Sequence, residues 1–338
     1  MVMTIGDVAE ALEVSKGTVS RAITGNGRIS PATRQRVLDY MTAHDFHPNT
    51  IAQSLSRRKT MNLAFTIPTG PELIQLPFFL QALVGADGVA GAKGYDILIV
   101  NNTYADVQRV VSRQKVDGVI VSRNLVGSRM LGYLAGAGLP FVLIGTSDHP
   151  GVLQIDYDHH TACREFTAQL LQCWDGKPGL IAGPRAHLVT RARAAGFADA
   201  APAAPIVWEA TDEEKIVAAF HQLRAQGVTS VFCEDDMICG YLENNLQTGR
   251  LGVDPASVQV ASFYDSPLLE ALNPAVPVIH FDSTDLGARA CSLLLASIAG
   301  QPHENVTLPY QIVLRGIDTP QQSSVPSDGE SHRPEPKG

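Results

Sequence analysis

The spacing of apolar residues changes once along the chain and divides it into two regions. Up to about residue 45, apolar side chains recur every three or four positions, the spacing of helices that bury one face. From Asn62 onward, short apolar runs alternate with longer helical segments, the order of an α/β fold. We therefore expect a small helical region followed by a larger α/β region.

The first 24 residues predict two short helices that pack together across a tight turn. Their buried faces are predicted to comprise Ile5, Val8, Ala9 and Leu12, then Val19, Ala22 and Ile23. Thr4, with Asp7 three residues on, is placed to cap the first helix, and Ser15 to cap the second. This is the arrangement of a helix-turn-helix, whose second helix enters the DNA major groove by its N-terminus.

A third helix is predicted to begin at Ser30-Pro31, where a capping serine precedes a proline at the first helical position. The helix should end near His44. Its inward face is predicted to comprise Val37, Leu38 and Met41.

Beyond residue 61 the apolar runs predict buried strands that alternate with helices. The predicted strands are LAFTI, YDILIV, DGVIV, PFVLIG, VLQID, PGLIA, TSVFC and VQVAS. The predicted helices span residues 78–93, 104–115, 127–137, 158–173, 187–200, 212–226, 236–248 and 284–299. Such alternation implies parallel sheets covered on both faces. The units divide into two doubly wound halves, with a ligand cleft at the carboxyl ends of the strands.

Composition favours a folded protein without a membrane-spanning segment. A chain of 338 residues implies roughly two or three domains, and 45% hydrophobic residues can supply a sizeable core. No apolar run approaches the ~18 residues of a membrane span, and the N-terminus does not have the layout of a signal peptide. We therefore expect a cytoplasmic protein with no membrane partner. The five cysteines, which include no CxxC pair, are expected to be reduced and buried.

The net charge of −8 is unevenly distributed along the chain. Residues 1–60 hold eight Lys or Arg residues and five Asp or Glu residues, so this part carries +3 and the remainder −11. An acidic body would confine DNA contact to the amino-terminal part, which favours specific docking over general coating of DNA.

Three motifs carry a resemblance to a known family: DVAEALEVSKGTVSRAI in the first two helices, RISPATRQRV in the third, and PNTIAQSLSRR after it. They resemble the lactose-repressor (LacI/GalR) family of bacterial transcription regulators, and a looser similarity extends to about residue 318. The resemblance implies an α plus α/β fold, with a helix-turn-helix head at 1–48, a hinge helix at 49–60 and an effector-binding core at 61–318. It further implies that the core has two doubly wound, periplasmic-binding-protein-like subdomains joined by three crossovers. Residues 319–338, which are rich in Pro, Ser and charge, predict a disordered tail.

The resemblance also implies where the chain contacts double-stranded DNA. Family members touch base edges with residues just inside the second helix and touch phosphates with its flanks. The DNA-binding residues implied here are Thr4, Ser15, Lys16, Gly17, Thr18, Ser20, Arg21, Asn49, Ala52 and Leu55. Lys16 can donate to guanine O6 and N7. Gly17 departs from members with a longer residue at this position, so base reading there must be lost or shifted to neighbours.

The hinge sequence indicates a second subunit. Asn49 is a good N-cap, but residues 50–57 make barely two helical turns, and such short helices are marginal in water. The hinge is therefore predicted to fold only against its twin and against DNA, with Ala52 and Leu55 on one face. The resemblance implies that Leu55 is a wedge in the minor groove at the centre of a near-palindromic operator. The tail lacks leucine heptads, which favours a homodimer over a tetramer.

The effector cleft is predicted from residues that match the family's pattern. These candidates are Phe78, Asp156, Arg193, Asp235 and Phe281. An arginine can fork onto ligand hydroxyls or a carboxylate, and an acid at a strand end accepts from hydroxyls. Glu234 replaces the family's usual asparagine, and Ser262 stands where glycine is common. Aromatic walls with an Arg–Asp pair favour a carbohydrate or its phosphate as effector; a nucleobase or nucleoside is the next alternative.

Two other classes of protein stay open at this point: an enzyme and an exported sugar-binding protein. The sequence has no GxSxG, P-loop or HExxH motif, and no GxGxxG after a strand. His159 and His160 are adjacent, but neighbouring helical side chains point about 100° apart, so we expect surface histidines rather than a metal site. The sequence thus predicts no metal and no cofactor. It predicts a dimeric, nucleoid-associated repressor that responds to a ligand as inducer or co-repressor.

Overall fold

The computed structural model describes residues 3–24, 27–46, 59–68 and 76–317. The helices are α1 (Ile5–Ala11), α2 (Lys16–Thr24), α3 (Pro31–Ala43), α4 (Leu76–Ala92), α5 (Tyr104–Ser112), α6 (Met130–Ala137), α7 (His159–Cys173), α8 (Leu188–Ala200), α9 (Glu213–Ala225), α10 (Asp236–Gln247), α11 (Pro267–Leu272) and α12 (Ser283–Ile298). The strands are β1 (Asn62–Ile67), β2 (Asp96–Asn101), β3 (Gly118–Val121), β4 (Phe141–Ile144), β5 (Leu153–Tyr157), β6 (Pro178–Ile181), β7 (Ile206–Val207), β8 (Ser230–Cys233), β9 (Gln259–Ser262), β10 (Val278–His280), β11 (Val306–Leu308) and β12 (Gln311–Val313).

Helices α1 to α3 pack around a small core of their own. Its buried side chains are those of Val8, Ala9, Val19, Ala22, Val37 and Phe46. The capping box of α1 is present: the backbone N–H of Thr4 donates to Asp7 Oδ2 at 2.7 Å, and the Asp7 N–H donates to Thr4 Oγ1 at 3.3 Å. Ser30 caps α3 in the same way as Ser15 caps α2, each accepting from the N–H three residues on at 3.1 Å.

One side chain of the third helix was wrongly predicted to face inward. Leu38 is exposed, while Tyr40 and Met41 pack on the core formed by Val37 and its neighbours. The inward face of α3 therefore follows positions 37, 40 and 41. A side chain at 38 lies about 100° around the helix from Val37, on the flank of that face.

The larger region contains two six-stranded sheets. Their strand orders are β11-β5-β4-β3-β1-β2 and β12-β10-β9-β8-β6-β7. Neighbouring strands pair in parallel except β10 and β12, which are antiparallel. The eight predicted strands are present, and helices cover the sheets as the alternating pattern predicts. Two doubly wound subdomains are confirmed.

The chain passes between the two sheets three times, as the resemblance implies. It leaves the first sheet after β5, returns to it after β10 and leaves it again after β11. Helix α12 follows β10 of the second sheet but packs against α4 and against strands of the first. The three crossovers therefore lie side by side between the subdomains and border the cleft.

Glycines let the helices next to the crossovers pack backbone against backbone. A Cβ atom at Gly287 would lie 1.8 Å from the carbonyl oxygen of Ala82, and one at Gly85 would lie 1.9 Å from that of Thr284. No side chain fits at either distance. The close contact of α4 with α12 thus depends on these two glycines.

The cysteines only partly follow the sequence prediction. Cys163, Cys233, Cys239 and Cys291 are buried thiols, whereas Cys173 is exposed at the end of α7. Among the described residues, none of the helices combines the length and apolar character that a bilayer-spanning segment requires.

Candidate functional site

The exposed face of α2 carries the polar residues predicted to contact DNA. The hydroxyls of Ser15 and Thr18 share a hydrogen bond of 2.9 Å, and Arg21 Nη2 donates to Thr18 Oγ1 at 3.4 Å. Ser20 and Arg21 are exposed, while Val19 and Ala22 on either side of them are buried. The apolar face of α2 thus packs on the core, and small polar and basic side chains are exposed on the opposite face.

Lys16 and Gly17 occupy the first turn of α2. The Lys16 side chain lies along the start of α1, since a Cβ atom at Gly6 would be 3.3 Å from its Cε and 3.5 Å from its Nζ. Hydrogen bonds from Thr4 lower the pKa of Asp7, and the Lys16 charge adds to this effect. A Cβ at Gly17 would meet only ordinary contacts, the nearest at 3.6 Å. The structure has room for a side chain at position 17, so packing does not require a glycine there.

Three further residues predicted to bind DNA lie outside the described residues. They are Asn49, Ala52 and Leu55.

All five predicted effector residues line one cavity between the two sheets. Phe78 stands near the start of α4 and Arg193 on α8, while Asp156 is in β5. Asp235 is the second residue after β8, and Phe281 directly follows β10. This places the cavity at the carboxyl ends of parallel strands, where doubly wound folds bind ligands. The cavity has a volume of about 100 Å³, whereas typical ligand pockets have about 300–1,000 Å³.

Arg193 and Glu234 form a buried ion pair in the wall of this cavity. Arg193 Nη1 donates to Glu234 Oε1 at 3.2 Å and to the Glu234 carbonyl oxygen at 3.0 Å. Thr190 Oγ1 donates to the same Oε1 at 3.2 Å. Two atoms of the pair have no hydrogen-bond partner: Arg193 Nε and Glu234 Oε2. Burial raises the pKa of Glu234 to about 7, against the opposing effect of Arg193.

Glu234 is the first of three consecutive buried carboxyls. Asp235 caps α10, accepting from the Ile238 N–H at 2.8 Å, so it has the structural role of a helix cap as well as a place in the cavity wall. Burial and the neighbouring Asp235 raise the pKa of Asp236 to about 7. The sequence indicated Glu234 only as a departure from the family pattern and gave no sign of its partner.

His159 was wrongly predicted to lie on the surface. It is buried at the start of α7, lines the cavity and donates from Nε2 to Asp156 Oδ1 at 3.1 Å. Burial lowers the pKa of His159, which keeps the imidazole neutral at pH 7, and its Nδ1 has no partner. The reason for its burial is the first crossover: the helix begins directly at the end of β5, so its first side chain meets the cleft. His160 is more exposed and contacts Asp199 at 3.0 Å.

Aromatic rings supply the apolar part of the cavity wall. Phe281 lies nearly parallel to Tyr264 at 6.2 Å, and Phe78 meets Tyr264 edge-on at 5.9 Å. The Arg193 guanidinium is 5.8 Å from the Tyr264 ring and 5.9 Å from the Phe281 ring. Such faces can pack on the C–H surface of a sugar ring or stack on a base.

Backbone contacts join the two subdomains beside the cavity, which Asn124 and His187 line. The Val126 N–H donates to the Ala186 carbonyl oxygen at 3.1 Å, and Leu125 forms an isolated antiparallel bridge with His187. Leu125 and Val126 follow β3, and Ala186 and His187 precede α8. The cleft is thus bounded by crossovers on one side and by this bridge on another.

The described residues include no group of three or more His, Cys, Asp or Glu side chains placed to hold a metal ion.

Three family descriptions match successive parts of the chain. Residues 4–49 match "Bacterial regulatory proteins, lacI family", and residues 71–212 match "Periplasmic binding proteins and sugar binding domain of LacI family". Residues 177–316 match "Periplasmic binding protein-like domain". Together they cover the helical region and both sheets except for strand β1.

Known proteins match almost the whole chain. The HTH-type transcriptional regulator CelR of Thermobifida fusca is 26% identical over an alignment of 322 positions, which covers 90% of this chain and 94% of that protein. The regulator MalR of Staphylococcus xylosus is 27% identical, covering 92% of this chain and 95% of that protein. A crystal structure of the lac repressor dimer, bound to operator and the anti-inducer ONPF, aligns with a TM-score of 0.78 at 22% identity, over 94% of this chain and 99% of that one. This solved structure shows the fold of the chain.

Proposed function

This chain belongs to the LacI family of DNA-binding transcriptional regulators, and on that premise we propose that it is a dimeric repressor controlled by a small molecule in its cleft. The observation that carries the proposal is the combination of features in one chain. An exposed polar face on the second helix of a helix-turn-helix precedes two subdomains that enclose a cavity lined by Arg193 and Asp235.

The DNA contacts are proposed for the exposed face of α2 and for the hinge. Lys16 and Gly17 are at the N-terminus of α2, the end that reaches base edges in a helix-turn-helix. Ser15, Thr18 and Arg21 are suited to phosphates, which position the head without specifying sequence. Leu55, although outside the described residues, is proposed to enter the minor groove of a near-palindromic operator.

Dimerisation is supported by apolar side chains on one edge of the first subdomain. Leu80 and Val84 on α4 are 44% and 67% exposed, and Ile99 on β2 is 58% exposed. Strand β2 is an edge strand of its sheet, and an exposed apolar edge favours pairing with another chain. We assign this face to a second copy, because two heads are needed to read a near-palindrome.

The effector is proposed to be a carbohydrate. The cleft combines aromatic faces with buried carboxyls and an arginine, and a solved structure with a TM-score of 0.66 to this chain is a CelR–cellobiose complex. A nucleoside is the second candidate, since the parallel rings of Phe281 and Tyr264 offer a face to a base as well as to a sugar. Because the cavity is small and the subdomains are bridged beside it, a ligand of disaccharide size must part the subdomains to enter. That movement is the proposed link to the DNA-binding heads.

Operator binding tests this function directly. The full chain is titrated against labelled DNA from beside its own gene, with competitor DNA and with or without sugars. We expect specific binding that a sugar changes, and Leu55→Ala should lose specific affinity while the core still unfolds cooperatively. Val84→Glu should give monomers in sedimentation and weaken operator binding. Undiminished operator affinity for Leu55→Ala would contradict the wedge role, and absence of any specific DNA complex would contradict the function.

A further inference from the structure

We propose that the effector cleft selects an uncharged, polyhydroxylated ligand and rejects phosphorylated ones, because Glu234 occupies the guanidinium of Arg193. This inference rests on the proposed function only in assigning the effector to this cleft. It narrows the ligand class from sugars and their phosphates to unphosphorylated sugars.

The charges that line the cavity do not suit an anion. Four carboxyls contribute to the wall against two guanidinium groups; the carboxyls are those of Asp156, Glu234, Asp235 and Asp236, and the guanidinium groups those of Arg123 and Arg193. The neutral His159 does not offset this excess. Above pH 7, where Glu234 and Asp236 are ionised as well, like charges brought together in a desolvated site cost several kcal/mol, and a phosphate dianion would meet them here.

Arg193 would be the natural partner for a phosphate, but its charge is already matched. The Glu234 carboxylate lies 3.2 Å from Nη1, and both side chains are almost fully buried, at 8% and 2% exposure. An anionic ligand would have to displace a carboxylate that is itself anchored by Thr190. Binding a phosphate would therefore leave Glu234 as a buried charge without a counter-charge.

The same pair is well suited to a hydroxyl group. Arg193 Nε is a donor without a partner and Glu234 Oε2 an acceptor without one, and both belong to residues that line the cavity. A hydroxyl can both accept and donate a hydrogen bond, so a ligand with several hydroxyls can pair with a donor such as the first and an acceptor such as the second. The Nδ1 atom of His159 is a third unpartnered polar atom in the same wall. Buried groups left without hydrogen bonds cost about 1–3 kcal/mol each, so a ligand that supplies several hydroxyls is favoured.

Matched pairs of ligands test the selection. Glucose, cellobiose and adenosine are titrated calorimetrically into the full chain at pH 8, alongside glucose 6-phosphate, cellobiose phosphate and AMP, with sulfate as a bare anion. We expect at least one neutral compound to bind, its phosphorylated partner to bind at least about 30-fold more weakly, and sulfate not to bind.

The Glu234→Gln variant should reverse the preference. It keeps the shape of the side chain and frees the Arg193 charge, so the ratio of neutral to phosphorylated affinity should fall at least about tenfold and sulfate should begin to bind. Glu234→Asn, which restores the residue common in the family, should act in the same direction and provides a second variant should the first fail to fold. Glu214→Gln removes an exposed acid from the first turn of α9 and should change neither affinity.

Each outcome decides the inference. Tighter binding of a phosphorylated compound by the unaltered chain, an unchanged ratio in the Glu234 variants, or binding of no neutral compound would overturn it. Operator binding without ligand is measured on the same samples. If ligand selection holds while no operator is bound, the proposed function fails and the inference on ligand class stands.

Discussion

Replacing Arg193 by methionine tests the energetic role of the buried pair. The substitution keeps an apolar stem but leaves the Glu234 carboxylate, 2% exposed, without its counter-charge. Breaking a buried ion pair from one side costs about 3–5 kcal/mol. Burial already raises the pKa of Glu234 to about 7, and Arg193 opposes this effect. Loss of the guanidinium should therefore raise this pKa further, so that the carboxyl is neutral at pH 6. The cost at pH 6 should then approach that of the lost hydrogen bonds, about 1–3 kcal/mol.

Urea unfolding of the full chain measures this cost through tryptophan fluorescence. The two tryptophans, Trp174 and Trp208, both belong to the subdomain of the second sheet, and Trp174 packs 5.7 Å from Phe232 on β8. The signal therefore reports on the subdomain that holds the pair. We expect the Arg193→Met variant to be destabilised by about 3–5 kcal/mol at pH 8 and by about 1–3 kcal/mol at pH 6.

A double variant separates the pair from the packing. Arg193→Met combined with Glu234→Leu removes both charges, and it should recover to within about 1–2 kcal/mol of the unaltered chain, because well-packed apolar side chains often replace a buried pair at little cost. A double variant no more stable than Arg193→Met, or a cost that does not change with pH, would refute the reasoning.

Three further predictions concern pH, DNA reading and helix packing. Glu234 and Asp236 have pKa values raised to about 7, above those of the unfolded chain, so the folded state holds more protons between about pH 4 and pH 7. Stability should fall as pH rises through that window, and calorimetry should find a smaller fall for Glu234→Gln; an equal fall would exclude Glu234 as its source. Lys16→Ala should weaken specific operator binding by about 1–3 kcal/mol in anisotropy titrations while sparing non-specific DNA; equal losses on both would reassign Lys16 to phosphate. Gly287→Ala should lower the melting temperature, since its Cβ would lie 1.8 Å from a carbonyl oxygen, whereas Gly136→Ala on α6, with open space, should not; similar melting of the two would contradict the close packing.

Long periodic elements of the fold could be predicted from the sequence, whereas short ones could not. The strand β1 was predicted from LAFTI, and the helix α9 was predicted within a residue at each end. Strands β7, β10, β11 and β12 have only two or three residues, and α11 has six. Segments of that length have too few side chains to display a period, and they are stabilised by tertiary contacts that the local sequence does not reveal.

The cleft residues could be predicted by type but not by partner. Phe78 and Asp156, which the family motif and the strand end indicated, line the cavity, and their contact with an effector stays a prediction. The pairing of Arg193 with Glu234 joins residues 41 positions apart, and spacing along the chain does not reveal it. The burial of His159 depends on where the chain crosses between the sheets, which the letters HH do not encode.

Control of DNA binding by a cleft ligand is best tested by a fluorescence-anisotropy titration of operator DNA with the full chain, repeated with a saturating sugar found to bind the cleft. We expect specific binding well above competitor DNA, an operator affinity that the sugar shifts at least about tenfold, and loss of that shift, but not of operator binding, in Arg193→Met. An operator affinity that no cleft ligand alters, or a shift that persists in Arg193→Met, would contradict this expectation.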